Sequence, residues 1–332
     1  MAIDSVQKAF EEFECEQVRV PKKENDAAKE VHPKIREAVK AELDDIVDDF
    51  LSGSYSRHVQ VGQKLQDIDV ILVLDDPNGE YGASASAALG AVQDAIRDCD
   101  LVRRTAKRVR SVRTFLHNYE FHVDLVVALK PTSGDGLLLA RNLPDEGYDD
   151  WSQANPRGQR EAAWDKNEQC GEMYIPAVRI IKFWNAGAGK PLRSYHAESI
   201  LYHELDGPLD YAEAVVRFFD AAYDALAPGV LTPDPGEPTT YVDARLEDED
   251  RRQAREQVDQ ARAAAHAAAE IDDVGEALDV WVDVFGPSFP APSTAPEKIA
   301  ASLAARTAGV VGAGIQADRG RPVIQSRPWR RS

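Results

Sequence analysis

Cysteine is scarce: Cys15, Cys99 and Cys170 lie far apart, with no Cys-x-x-Cys pair and no histidine at zinc spacing. That spacing excludes a zinc finger or ribbon and leaves three inert thiols in a reducing compartment as the expectation. Positive charge is also in short supply. Lys and Arg number 39 against 57 Asp and Glu, a formal net charge of -18. So acidic a chain has little non-specific affinity for nucleic acid or anionic membrane, since both reward cationic surfaces. It can hold a nucleoside triphosphate only with metal ions or a local basic pocket. No apolar run approaches a membrane-spanning length, MAIDSVQKAF has no signal-peptide pattern, and no internal repeat is visible. The expected protein is soluble and cytoplasmic, with no membrane partner.

What is present is an ordinary globular balance, 43% hydrophobic and 29% charged, over 332 residues. That length suits one large domain or two modest ones. Residues 1–20 suggest a short helix with a turn at Pro21. Val31, Ile35, Val39, Leu43, Ile46 and Phe50 recur at helical spacing, which predicts one long amphipathic helix over 25–51. A Gly53–Ser54 turn, a strand at 68–74, a loop at 77–82 and an Ala-rich helix at 83–98 follow. Two further strands are expected in VRRTAKRVRSVR and at 114–129. After Pro131 the pattern becomes helical in IPAVRIIKFWNA, SYHAESILYHEL, 211–226 and the long 244–285 segment, with a Pro- and Gly-rich loop at 229–240. This mixed order implies an α+β core with a mixed or antiparallel sheet and a helical second half.

The chemistry concentrates in FLSGSYSRHVQVGQKLQDIDVILVLDD, residues 50–76. Alternate strand residues share a face, so Asp67 and Asp69 would repel each other at about 7 Å. Asp124, in FHVDLVVAL, begins a second apolar strand. If the two strands are neighbours, three carboxylates converge at one sheet edge. Hard oxygen ligands of that kind suit Mg²⁺, and two ions could clamp an in-line phosphoryl displacement. Gly53 permits close backbone approach to a phosphate, whose outer oxygens the turn's amides and the Ser54 hydroxyl could hold. A lone Asp-x-Asp reads as solvated edge residues. The ordered set of turn, acid pair and third acid is what points to a site.

GSYSRH, DID and HVD together resemble the signature of the DNA-polymerase-β-like nucleotidyltransferase superfamily. The resemblance implies that Asp67 and Asp69 hold two Mg²⁺ ions, for which Mn²⁺ can substitute. It implies further that Asp124 completes the second site and helps deprotonate the attacking hydroxyl. YIPAVRIIKFWNAGAGKPLRSYHAESILYHEL, 174–205, resembles a segment shared by 2′-5′-oligoadenylate synthetases, cyclic GMP-AMP synthase and the bacterial CD-NTases. The last make cyclic oligonucleotides in anti-phage (CBASS) systems. By that resemblance Lys182 and Ser194 reach the triphosphate and Tyr195 stacks on the base. Physically, Lys182 is a cation beside an apolar stripe, and Ser194 opens a helix whose free amides favour phosphate. Taken singly, they would read as a solvated lysine, an N-cap serine and a core tyrosine. WSQANPRGQ and ALDVWVDVFGPSFPAP also resemble CD-NTase landmarks, the second a structural one with Trp281 and Phe285 on one helix face.

The implied architecture is a polymerase-β-like nucleotidyltransferase core with a mixed sheet (1–150), a helical domain completing a nucleotide cleft (151–315), and a basic tail (316–332). That tail reads as disordered or, instead, as docked on the acidic body or offered to a partner. The implied activity joins ATP, GTP or other nucleoside triphosphates into a cyclic di- or trinucleotide messenger, either constitutively or under control of a partner protein or phage-derived activator. No zinc-binding insertion is present, so direct activation by double-stranded DNA is not expected. Asn155, Asn167 and Arg193 are candidates for base or phosphate contacts, and His58 reads as structural. Four rival readings stay open. An RNA-end polymerase is opposed by the acidic charge. A linear 2′-5′ oligoadenylate synthetase differs only in ring closure. A catalytically silent nucleotide sensor is opposed by three mutually repelling acids. An antibiotic-modifying nucleotidyltransferase is opposed by the Lys182–Ser194–Tyr195 segment.

Overall fold

The computed structural model describes residues 3–131 and 136–290, which fall within a unit spanning Met1–Pro292. The basic tail and the last part of the expected helical domain lie outside the described residues. The chain opens with α1 (Val6–Phe13), capped by the Ser5 side chain, then a π-helical turn at Glu14–Val18 and α2 (Lys22–Glu42). β1 (Ile46–Ser52), the four-residue α3 (Gly53–Ser56) and β2 (Asp67–Leu74) come next. They are followed by α4 (Glu80–Ala83), α5 (Ala85–Ile96), β3 (Val102–Lys107), β4 (Ser111–Leu116) and β5 (His122–Leu129). β6 (Leu137–Leu143) and β7 (Tyr148–Ala154) extend the sheet. Then come α6 (Pro156–Gln169), α7 (Tyr174–Gly187), α8 (Ser194–Glu204) and α9 (Tyr211–Ala225). A small hairpin, β8 (Pro233–Asp234) and β9 (Glu237–Tyr241), precedes α10 (Asp248–Ala269) and α11 (Val274–Phe285).

The sheet runs β1-β2-β5-β4-β3, with β6 on β5 and β7 on β6. β2 and β5 are parallel and the other pairs antiparallel, which makes the sheet mixed as expected. β2 is buried from Val70 to Leu74, the continuous apolar run of a strand covered on both faces. One apolar cluster sandwiches Ile35 and Val39 of α2 and Leu89 and Val92 of α5 against Leu72 and Leu125 of the sheet. A second joins α7 to α11 and takes in α1, far away in sequence: Phe10 meets Trp281 edge-on at 5.0 Å and Phe289 at 4.9 Å. No described helix is long and apolar enough to cross a membrane.

Three expectations need correction. The helix expected over 25–51 stops at Glu42, and 46–52 form β1. Ile46 and Phe50 fit a helical period, but a short apolar run fits a strand equally well. Pairing decides it: β1 lies antiparallel on β2 with Phe50 opposite Ile71 and Ser52 opposite Asp69. The Gly53–Ser54 turn therefore follows a strand, not a helix. Helix was also expected directly after Pro131, where the chain forms β6 and β7 instead. LLLARNL shows no two-residue alternation, and only its neighbours β5 and β7 make it a strand. Finally, 244–285 breaks into α10 and α11, with the Asp273 side chain accepting from Glu276 N to start the second.

Candidate active site

Register builds the site. Asp67 stands opposite His122 and Asp69 opposite Asp124 across the parallel β2–β5 pair, so all four side chains share one face. On the other side of β2, Ser52 pairs with Asp69, which delivers the Gly53 turn against that carboxylate. Gly53 has φ +65°, and a Cβ added there would run into the Asp69 carboxylate. Glycine is needed on both counts. Ser54 sits half-buried in the short helix that follows, and the Ser56 hydroxyl donates to the Gly53 carbonyl at 3.1 Å.

Arg113, on β4, was not singled out in the sequence, yet it faces Asp124 across the β4–β5 ladder. Its Nε donates to Asp124 Oδ1 at 2.9 Å and its Nη2 to Oδ2 at 2.6 Å, while Asp67 Oδ2 lies 3.8 Å away. Positive charge still falls short. Burial, then repulsion from Asp67 and Asp124, pushes the Asp69 carboxyl up to about 7 despite Arg57 and Arg113. The Asp67 carboxyl is raised too, by burial first and Asp124 second. Among the described residues, no group of three or more His, Cys, Asp or Glu side chains stands ready to hold a metal ion. Both Asp124 oxygens are turned to Arg113, so the three carboxylates share a face without converging. Their chemistry nonetheless fits a hard divalent cation such as Mg²⁺ or Mn²⁺: all are oxygen donors, and burial followed by repulsion from Asp67 and Asp124 raises the Asp69 carboxyl, a load that a bound cation would relieve.

The helical segment is tied to this face through Arg57, which directly follows α3. Its Nε donates to Glu198 Oε2 at 3.0 Å, and Lys182 Nζ donates to Glu198 Oε1 at 3.1 Å. All three side chains are buried. Burial alone would raise the Glu198 carboxyl, but Arg57 and Lys182 outweigh it and hold it below its usual value. Lys182 thus gives its charge to Glu198, although Asp67 still feels it. Ser194 is the exposed first residue of α8. The Tyr195 hydroxyl donates to Asp234 Oδ1 at 2.8 Å, and the Arg57 guanidinium lies 5.0 Å from the centre of the Tyr195 ring. Asp234 in turn accepts from Gly236 N at 2.8 Å and Gln159 Nε2 at 3.0 Å. The structure therefore gathers Gly53, Asp67, Asp69 and Asp124 at one place, and links Lys182 and Tyr195 to it through Arg57.

Asn155 and Asn167 have structural work. Asn155 caps α6 by accepting from Gly158 N at 2.9 Å, with Pro156 at the first helical position, and donates to the Gly236 carbonyl at 3.0 Å. Asn167 is buried, accepts from Ile175 N at 2.9 Å and donates to Glu172. Arg193 is the N-cap residue of α8. His58 takes a positive φ of 59° and offers its carbonyl to Arg179 at 2.8 Å, a structural position as expected.

Residues 5–167 match the family described as the Second Messenger Oligonucleotide or Dinucleotide Synthetase domain. A cyclic AMP-AMP-GMP synthase of Enterobacter hormaechei subsp. hoffmannii is 28% identical over 162 residues, 45% of this chain and 42% of that one. The chain thus matches less than half the length of that curated relative. Among solved structures, CdnC of E. coli MS115-1, in complex with HORMA-deltaN, is similar with a TM-score of 0.71 and 18% identity, over 86% of this chain and 98% of that one. The CD-NTase CdnG of Bradyrhizobium diazoefficiens, in complex with GTP, gives 0.70 and 11%, over 86% and 97%.

Proposed function

We propose, from the match of residues 5–167 to the second-messenger oligonucleotide synthetase family and from the likeness to CD-NTase folds, that this protein is a template-independent nucleotidyltransferase making a cyclic di- or trinucleotide. The observation that carries the reading is the β2–β5 register, which sets Asp124 level with Asp69 and beside Asp67, with the Gly53 backbone closing on Asp69.

Asp67 and Asp69 would hold divalent ions, with Asp124 serving the second position. Mg²⁺, or Mn²⁺ in its place, supplies positive charge to the triphosphate and the reacting oxygens when bound. The Gly53–Ser54 turn offers backbone N–H groups and the Ser54 hydroxyl to the outer phosphates. Ser194 adds the unfilled N–H groups and positive dipole end of α8. Tyr195 offers a base the ring face away from Arg57. Lys182 acts by position: with Arg57 and Glu198 it fixes the start of α8 against the Gly53 turn. Asp124 accepts the proton of a ribose hydroxyl, whose oxygen bonds to the α-phosphorus of a second nucleotide as the bond to pyrophosphate breaks. The same step between the ends of the product closes the ring. Alignment and charge placement supply the rate.

ATP and GTP are the default substrates. A role in anti-phage signalling in the cytoplasm and a regulatory protein partner belong to the same reading; CdnC of E. coli is itself seen in complex with HORMA-deltaN. The test is pyrophosphate release from nucleoside triphosphate mixtures with Mg²⁺. The Asp67→Asn/Asp69→Asn variant should release none while keeping its far-ultraviolet circular dichroism. Release persisting in that variant overturns the assignment.

A further inference from the structure

We propose that Arg113 gates the cation position served by Asp124, holding both carboxylate oxygens until a substrate phosphate draws the guanidinium away. The inference rests on the reading of the three aspartates as metal ligands. The two halves of the site differ in access. The Asp67 side chain is 41% exposed, whereas that of Asp124 is only 9% exposed and is covered by Arg113, itself 24% exposed. The β4–β5 ladder fixes the backbones of Arg113 and Asp124 opposite each other, so the pair is built into the sheet. Its two parallel N–H···O bonds, at 2.9 and 2.6 Å, use the planar fork that suits a carboxylate and suits a phosphate equally well.

A cation can settle on Asp67 and Asp69 without disturbing that pair. A cation that takes the Asp124 lone pairs now facing Arg113 must displace at least one of the two N–H···O bonds, and the freed guanidinium would then face a metal ion of like charge. An anion must receive it. Arg57 and Lys182 give their charge to Glu198, so Arg113 is the guanidinium in direct contact with the aspartates and best placed to take a phosphate. The second cation and the phosphate therefore each favour binding of the other, a linkage that is necessarily reciprocal. The gate keeps the site incomplete until substrate arrives.

The test counts Mn²⁺ bound by the full-length protein, from the electron paramagnetic resonance signal of the free ion. It is run with and without a non-hydrolysable α,β-methylene ATP. Wild type alone should take up one Mn²⁺ tightly, and a second only with the analogue. Arg113→Gln should bind the second without the analogue, about tenfold or more tighter than wild type does. Arg113→Lys, which keeps the charge but cannot grip both oxygens, should fall between them and serves if the Gln variant does not fold. A second Mn²⁺ bound equally by wild type and either variant without the analogue overturns the gate. Asp67→Asn/Asp69→Asn separates the two claims: Mn²⁺ uptake unchanged in that variant would sink the metal assignment itself, whatever Arg113 does.

Discussion

Replacing Asp69 by Asn should stabilise the metal-free protein, and only where the carboxylate would otherwise be forced to ionise. The Asp69 carboxyl is pushed from an ordinary 3.8 to about 7 by burial and by its two acidic neighbours. That is about a thousandfold in proton affinity, or ~4 kcal/mol between the two protonation states. Below pH 4 the group is protonated both folded and unfolded, and its contribution to stability is fully present. Between about pH 4 and 7 the unfolded chain releases the proton while the fold retains it, so stability falls, and above about 7 the loss is complete. Asn carries no charge at any pH. The variant should match wild type near pH 4 and exceed it by roughly 2–4 kcal/mol at pH 8, less than the full figure where water relaxes around the charge. For a unit of this size the gain reads as about 4–8 °C in melting temperature. Thermal unfolding followed by circular dichroism in EDTA, from pH 4 to 8.5, measures it. Millimolar Mg²⁺ should reverse the order by binding folded wild type alone. A difference that does not change with pH, or an Asn variant less stable at pH 8, would refute the claim that unbalanced charge burdens this face.

Gly53→Ala forces a Cβ onto the Asp69 carboxylate at φ +65°. It should cost about 1–3 kcal/mol in urea unfolding and most of the turnover, and unchanged turnover would count against the close approach. Glu198→Gln strands Arg57 and Lys182 as buried cations. It should cost roughly 3–5 kcal/mol, and a loss under ~1 kcal/mol would show that the three do not act as a set. Tyr195→Phe removes the bond to Asp234. It should cost about 1 kcal/mol and raise KM for triphosphate more than it lowers kcat. Adding Asp234→Asn to that variant should change KM little further, because the shared interaction is already gone.

The acid pair was legible because its signal is local: two aspartates in strand alternation, a preceding Gly-Ser, and a third aspartate heading another apolar run. Their partners were not. Arg113 is one arginine among several in VRRTAKRVRSVR, and nothing in its neighbourhood says that β4 will lie on β5 with that residue opposite Asp124. Glu198 looks like any helical glutamate until α7 and the Gly53 turn close on it from elsewhere in the chain. Lys182 and Tyr195 were singled out by resemblance, while the residues they bond, Glu198 and Asp234, depend on packing across long sequence separations. β1 was misread for the same reason: Ile46 and Phe50 satisfy a helical period locally, and only pairing with β2 makes them strand residues.

The most direct measurement incubates the protein with α-³²P-labelled nucleoside triphosphates, singly and in pairs, with Mg²⁺ and separately with Mn²⁺. The products are then treated with phosphatase. The expected result is a labelled, phosphatase-resistant species that the Asp67→Asn/Asp69→Asn variant fails to make. Products wholly sensitive to phosphatase, or a resistant product formed equally by the variant, would contradict a cyclic nucleotide synthase built on these aspartates.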